Sequence, residues 1–253
     1  MRFVWPVVGG VVALVLLTLT AVRLLDRGDD GPRPDQAQPG PVLLVPGYGG
    51  NRTSLTRLAE RLTAEGRTAT VLTLPGDGTG HLEEQADVLD TAVRDALSAG
   101  APSVDVVGYS AGGVVTRLWV DRHDGAEVAR RVVSLGSPLH GTRLAGLGAR
   151  FARDQCPQAC QELAPGSDLL DSIDDPLPDG LPWLSIWTEY DETVQPPTSA
   201  RLDGAVNLSL QSVCAAARTS HSELPADPYV TALVLDALGT GPLRAPESCP
   251  AGG

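Results

Sequence analysis

The stretch that decides the fold is SVDVVGYSAGGVVTRLW, Ser103 to Trp119. A short apolar run, SVDVVG, reads as a buried strand, and Ser110 to Asp121 reads as a helix. Between them the chain turns within a few residues through Gly108-Tyr109-Ser110-Ala111-Gly112. A serine on so tight a strand-to-helix turn is driven toward a strained backbone, and its close neighbours must be small. The G-x-S-x-G spacing meets that need and lifts the hydroxyl clear of the sheet. The helix N-terminus behind it offers free N–H groups to a developing negative charge. In this setting Ser110 is a candidate nucleophile; outside it, the same glycines would read as an ordinary turn.

Outward from this turn the chain alternates. PVLLVPG (41–47), TATVLTLPG (68–76), RRVVSLGSP (130–138), WLSIWTE (183–189) and AVNLSLQ (205–211) read as further strands. SLTRLAERLTAEG (54–66), HLEEQADVLDTAVRDALSAG (81–100) and DPYVTALVLDAL (227–238) carry apolar residues at helical spacing. Alternation of this kind predicts an α/β fold with a mainly parallel sheet of about six strands and helices on both faces. Ligands in such sheets bind beyond the carboxyl ends of the strands, so functional residues should follow strands. Residues 141–181 break the rhythm: they hold no predicted strand and carry CPQAC, and they read equally as a rim or lid and as a plain surface connection.

A serine hydroxyl needs a base, and the base needs an orienting carboxylate. All nineteen basic residues are arginine, which excludes Schiff bases, Ser-Lys pairs and the P-loop lysine. Four histidines remain: His81, His123, His140 and His221. The expected chain order is Ser, acid, His, which favours His221, after the last strand, over His140. The acid should follow a strand between them. Glu189, Asp191 and Glu192 are offered there; Glu189 is expected within the strand, Asp191 holds the natural loop position and is chosen, and Asp203 is expected in a turn. Two backbone N–H groups complete the machinery: Ala111, after the nucleophile, and Tyr48, in the glycine-rich loop after the first strand. PGDGTGH (75–81) lacks the glycine spacing of a dinucleotide loop and reads as a rim loop.

Net charge is −12. Residues 1–28 sum to +2, so the remainder is more acidic still, which argues against nucleic acid and against electrostatic docking on anionic lipid. Residues 1–27, with uncharged Val7 to Val22 between Arg2 and Arg23, fit either a cleaved signal peptide or a retained membrane anchor. Residues 28–40 read as a polar Pro- and Gly-rich linker, and 41–253 as one exported domain, expected to be a monomer. Four cysteines in an exported domain point to disulfides, since no C-x-x-C or nearby His pair offers zinc spacing. Three connectivities are open; the local spacing of CPQAC favours Cys156–Cys160, which leaves Cys214–Cys249.

Five segments together, PVLLVPGYGG, VDVVGYSAGGVVTRLW, VVSLGSPLHGT, YDETVQPPTSARLDGAVN and SHSELPADPYV, resemble the small bacterial lipases and esterases of the α/β-hydrolase superfamily, the lipase class 2 group, in an actinobacterial form. The resemblance spans about residues 41–240. It implies Ser110, Asp191 and His221 as nucleophile, acid and base, and Tyr48 and Ala111 as oxyanion donors. It further implies a small-molecule or lipid ester as substrate and no metal or organic cofactor. An acyltransferase or thioesterase using the same residues, and a non-catalytic binding protein on the same fold, are the alternatives. Three features depart from the pattern: Pro46 where a histidine is usual, Ser220 before His221 where glycine is usual, and the long 141–181 segment.

Overall fold

The computed structural model describes residues 33–251. The expected signal or anchor and the first residues of the expected linker lie outside the described residues. Residues Arg33–Gly253 form one compact unit. It includes the last residues of that linker: the Gln36 side chain donates to the Arg130 carbonyl at 3.0 Å, and Gly40 is buried.

Six strands form one sheet: β1 (Val42–Val45), β2 (Ala69–Val71), β3 (Val104–Tyr109), β4 (Ala129–Leu135), β5 (Trp183–Trp187) and β6 (Val206–Ser209). Their order is β2-β1-β3-β4-β5-β6, and every pairing is parallel. Parallel strands need crossovers that cover both faces, so the central strands are buried on both sides; Val42 to Val45 are all buried. Successive side chains serve opposite cores. Val42 and Leu44 join one apolar cluster, and Leu43 and Val45 the other.

The helices divide accordingly. α1 (Thr53–Ala64) lays Leu55, Leu58 and Leu62 on the first cluster, while α2 (Leu82–Ser98) lays Leu82, Ala86, Leu89 and Val93 on the second. α3 (Ala111–Arg122) is buried along nearly its whole length. Residues 141–181 contain no strand and are largely helical, with α4 (Arg143–Phe151), α5 (Gln158–Glu162) and α6 (Asp168–Asp171). α7 (Leu210–Val213) follows β6, and α8 (Pro228–Ala237) closes the first face. The Asp227 side chain accepts from the N–H groups of Tyr229 and Val230, and Pro228 sits in the first turn, where no N–H is missed. β5 stops at Trp187, two residues short of the strand expected from sequence. Thr188 turns there, its hydroxyl donating to the Thr219 carbonyl and its own carbonyl accepting from Asp191 N–H, so Glu189 lies beyond the strand.

The direction of winding reverses between β1 and β3: from β1 the chain steps outward to β2 on one side, and from β3 outward to β4 on the other. In sheets of this kind ligands bind beyond the carboxyl ends of the strands at such a switch. The opposite end of the sheet is closed by charge. Buried Asp105 on β3 accepts from Arg67 and from buried Arg130, each at 2.5 Å. Both guanidiniums also donate to the Leu238 carbonyl, satisfying the C-terminal end of α8. The disulfides are Cys156–Cys160 and Cys214–Cys249.

Candidate active site

Ser110 stands between β3 and α3 at φ 54°, ψ −126°, a conformation that side chains rarely adopt. Its N–H donates to the Leu135 carbonyl of β4 at 2.8 Å and its carbonyl accepts from Gly113 N–H at 3.0 Å, so the strained turn is held on both sides. The flanking glycines answer a steric demand. A Cβ at Gly108 would lie 2.6 Å from the Gly112 carbonyl oxygen, and one at Gly112 would lie 2.2 Å from that of Val45. The helix begins hard against the strands only because both side chains are absent.

His221 reaches Ser110 from a single 3₁₀ turn, His221–Ala226. Its Nε2 is 3.0 Å from Ser110 Oγ, and its Nδ1 is 2.7 Å from Asp191 Oδ2. All three side chains are buried. A carboxylate oxygen accepts, so Nδ1 carries the imidazole proton, Nε2 offers a lone pair, and the Ser110 hydroxyl donates to it. The other Asp191 oxygen accepts from the N–H groups of Thr193 at 2.9 Å and Val194 at 2.7 Å, and the Asp191 carbonyl accepts from the Gln195 side chain. The acid is thereby fixed with one oxygen aimed at the imidazole.

Glycine also makes room for the dyad: a Cβ at Gly136, after β4, would come within 3.2 Å of His221 Nδ1 and 3.3 Å of Asp191 Oδ2. Ser220 and Glu223 form a reciprocal capping box around the histidine turn, with Glu223 Oε2 accepting from Ser220 N–H at 2.8 Å. The Ser220 hydroxyl, donating to the same oxygen at 2.6 Å, and then the Ser220 N–H hold the Glu223 carboxyl below its usual range. Serine before the histidine thus closes the loop by capping where a glycine would have relied on backbone freedom.

Tyr109 was not singled out in the sequence, and Glu192 stood there only as an alternative acid. The Tyr109 hydroxyl donates to the His221 carbonyl at 3.2 Å, and Glu192 Oε2 accepts from His221 N–H at 3.2 Å. Burial, then the charges of Asp191 and Glu192, push the Tyr109 phenol up to about 12. Position alone signalled Tyr109, as the residue before the nucleophile. The role Glu192 takes carried no signal, because its partner is a backbone group 29 residues away in another loop.

Loop 46–50 meets Ser110 at the switch between β1 and β3. A Cβ on Gly47 would stand 2.9 Å from Ser110 Cβ. Gly49 N–H donates to Gly78 and Gly50 N–H to Gly47, whereas Tyr48 N–H has no acceptor among the described residues. Ala111 opens α3, so its N–H is one of those a helix leaves without an intrahelical acceptor. The 75–81 loop packs on loop 46–50 through Gly78 and Gly50. His140 is engaged elsewhere: its Nε2 is 3.0 Å from the Arg201 carbonyl oxygen and its Nδ1 3.4 Å from Asp174. Among the described residues, no cluster of His, Cys, Asp and Glu is arranged to hold a metal ion.

No protein-family model matches the chain. Its backbone does match solved structures. It superposes on lipase B of Aspergillus fumigatus with a TM-score of 0.66 at 22% identity, over 79% of this chain and 52% of that one. The propeptide form of the Bacillus licheniformis lipase BlEst2 gives 0.68 at 20% identity, over 88% and 55%, and its mature form 0.59 at 21%, over 71% and 86%. The fold is that of the α/β-hydrolases. At these identities the likeness is one of fold, and this chain spans about half the length of the Aspergillus protein. Within an α/β-hydrolase frame, the Ser110 turn occupies the carboxyl end of a central strand, β3, beside the reversal in strand order.

Proposed function

We propose that this chain is a serine ester hydrolase of the lipase and esterase type, acting on lipid-like acyl esters outside the cytoplasm. The observation that carries the reading is the continuous hydrogen-bonded line from Ser110 Oγ through His221 to Asp191. Ser110 attacks the ester carbonyl carbon while His221 Nε2 takes the hydroxyl proton. The tetrahedral oxyanion rests on the N–H groups of Tyr48 and Ala111, each worth about 10²–10³ in rate. Collapse expels the alcohol, which receives the proton from His221 and leaves an acyl-serine. Water, deprotonated by the same nitrogen, releases the acid. Asp191 keeps Nδ1 protonated and stabilises the imidazolium that forms in each half-reaction.

The five quoted segments support placement in the lipase class 2 group, in an actinobacterial lineage. In the proposed layout, residues 1–27 direct export, either as a cleaved signal or as an anchor, the first residues of 28–40 tether while its last residues pack on the domain, and 41–253 catalyse, with 141–181 as a rim beside the site. Two disulfides suit an oxidising compartment. No helix among the described residues is long and apolar enough to cross a membrane.

Chromogenic acyl esters of graded chain length test the activity. Wild type should hydrolyse them and Ser110→Ala should not; a folded wild type inert toward every chain length would remove the reading. Transfer to added alcohol at the expense of hydrolysis would point to the acyltransferase alternative instead.

A further inference from the structure

α4 is built inside out. Its buried residue is Ala145, and its other inward positions are Gly146, Gly148 and Ala149, while its large apolar residues face solvent. Leu144 is 62% exposed, Leu147 56% and Phe151 72%. At 3.6 residues per turn these three fall within about 60° of arc, forming one stripe. A helix folded for its own core would turn that stripe inward. Small inward residues let it lie close instead. Gly146 faces Pro165, and a Cβ at Gly148 would lie 3.2 Å from Cys160 Sγ and 3.3 Å from Cys156 Sγ. Its first turn is pinned to the acid loop, with Arg143 N–H donating to the Gln195 carbonyl at 2.9 Å and the Thr142 hydroxyl to that of Thr193 at 2.8 Å.

Two further observations say what covers the stripe. The first is position. Among the described residues the exposed large apolar side chains are Tyr48, Leu144, Leu147, Phe151 and Tyr190. Tyr48 follows β1, α4 follows β4, and Tyr190 follows β5, so all five lie beyond the carboxyl ends of strands, on the rim where Ser110 sits. The second is charge. In a chain of net −12, residues 141–161 carry Arg143, Arg150 and Arg153 against Asp154 and sum to +2. Arg143 and Arg150 flank the stripe on one side, and the Arg150 guanidinium stands 5.2 Å from the centroid of the Phe151 ring. Apolar bulk beside arginine on one helix face suits the boundary between headgroups and acyl chains.

We propose that α4 docks the domain on an anionic lipid surface, with Leu144, Leu147 and Phe151 in the acyl boundary and Arg143, Arg150 and Arg153 among the headgroups. The overall negative charge repels such a surface at long range, and the local arginine cluster reverses the sign at contact. Docking brings the Ser110 rim to face the bilayer. It deepens the proposed function by naming the physical form in which the ester arrives, yet its evidence is exposure and charge, independent of the chemistry at Ser110.

The test uses the full chain with a nitroxide on Leu147→Cys, and a control label on Glu60→Cys, an exposed position of α1. Collision with oxygen against an aqueous nickel chelate is read on phosphatidylcholine vesicles with and without phosphatidylglycerol. The label at 147 should enter the acyl region on phosphatidylglycerol vesicles, and the label at 60 should stay aqueous. Arg143→Gln, Arg150→Gln and Arg153→Gln should each lower the inserted fraction about fivefold at limiting lipid, from roughly 1 kcal/mol per arginine near an anionic surface. A label at 147 as aqueous as that at 60 overturns the proposal. So does insertion indifferent to both phosphatidylglycerol and the arginines, which would leave apolar adsorption alone. Dipolar broadening between 147 labels without lipid would assign the stripe to a second copy of the chain. Ser110→Ala should leave every reading unchanged, so loss of hydrolysis and loss of docking are separately visible.

Discussion

The Tyr109 hydroxyl donates to the backbone carbonyl of His221 at 3.2 Å, and the two rings lie 5.3 Å apart. The residue immediately before Ser110 therefore contacts the turn that carries His221. Rotating one relative to the other would break this bond, so it ties the end of strand β3 to the histidine turn. Glu192 grips the same turn from the acid loop through His221 N–H. The base is held by the element on each side of it.

Tyr109 gives this grip a pH signature. Its phenol is pushed up to about 12, first by burial and then by the charges of Asp191 and Glu192. In the unfolded chain it loses its proton near 10. The folded state thus holds the proton more tightly, and this share of stability is full below pH 10 and drains away between about 10 and 12. Allowing for screening of the partly exposed ring, the loss should be on the order of 2 kcal/mol. Urea denaturation of wild type and Tyr109→Phe across pH 9–12 measures it: the wild-type curve should fall more steeply. Parallel curves would mean the phenol ionises alike in both states.

Asp191→Asn should preserve the fold and lose activity. An amide in that place can offer its N–H to the imidazole and favour the wrong tautomer, which abolishes the lone pair facing Ser110. The expected fall in kcat is about 10⁴-fold. Measured kcat within tenfold of wild type would show that another group orients His221.

The disulfides should contribute unequally. Cys214–Cys249 closes a separation of 35 residues and Cys156–Cys160 one of 4. Loop-closure entropy gives about 4 kcal/mol for the first and about 2 for the second. Paired serine variants, Cys214→Ser with Cys249→Ser and Cys156→Ser with Cys160→Ser, should rank in that order by denaturant midpoint. The reverse order would mean that the short bridge supports α4 and its neighbours by more than entropy.

Asp105 should matter for stability and not for turnover. It lies at the end of β3 remote from Ser110, buried between Arg67 and Arg130. Asp105→Asn leaves two guanidiniums facing a neutral group, at a cost of about 3–5 kcal/mol. Chemical denaturation should record that loss while kcat of the remaining folded enzyme stays near wild type. A kcat that falls with the stability would couple this end of the sheet to the site.

Much of the frame was legible in the sequence because it rests on local patterns. Strands such as PVLLVPG are apolar on both faces and end in Pro or Gly, and α1 and α2 repeat leucine at helical spacing. Chain order then selected Asp191 and His221, and the structure brings both to Ser110. What escaped reading depends on contacts between distant segments. The end of β5 is set by Thr188 bonding to Thr219, a partner in another loop. The Glu192 grip on His221 has the same character. α4 escaped for a different reason: its apolar stripe follows helical spacing but does not fold inward, so a rule that equates apolar periodicity with core has nothing to attach it to. The capping box in SHSE was present as a motif, Ser220 with Glu223 three residues on, and its reading would have explained why no glycine is needed before His221.

The central claim is that the Ser110 oxygen is a nucleophile activated by His221. Labelling with a fluorophosphonate, followed by peptide mass mapping, tests it most directly, since the reagent traps an activated serine without requiring the right ester. A single adduct on the peptide containing Ser110, absent in Ser110→Ala and strongly slowed in His221→Ala, is the predicted result. Folded wild-type protein that takes up no label, or that carries it undiminished after Ser110→Ala, would contradict the account.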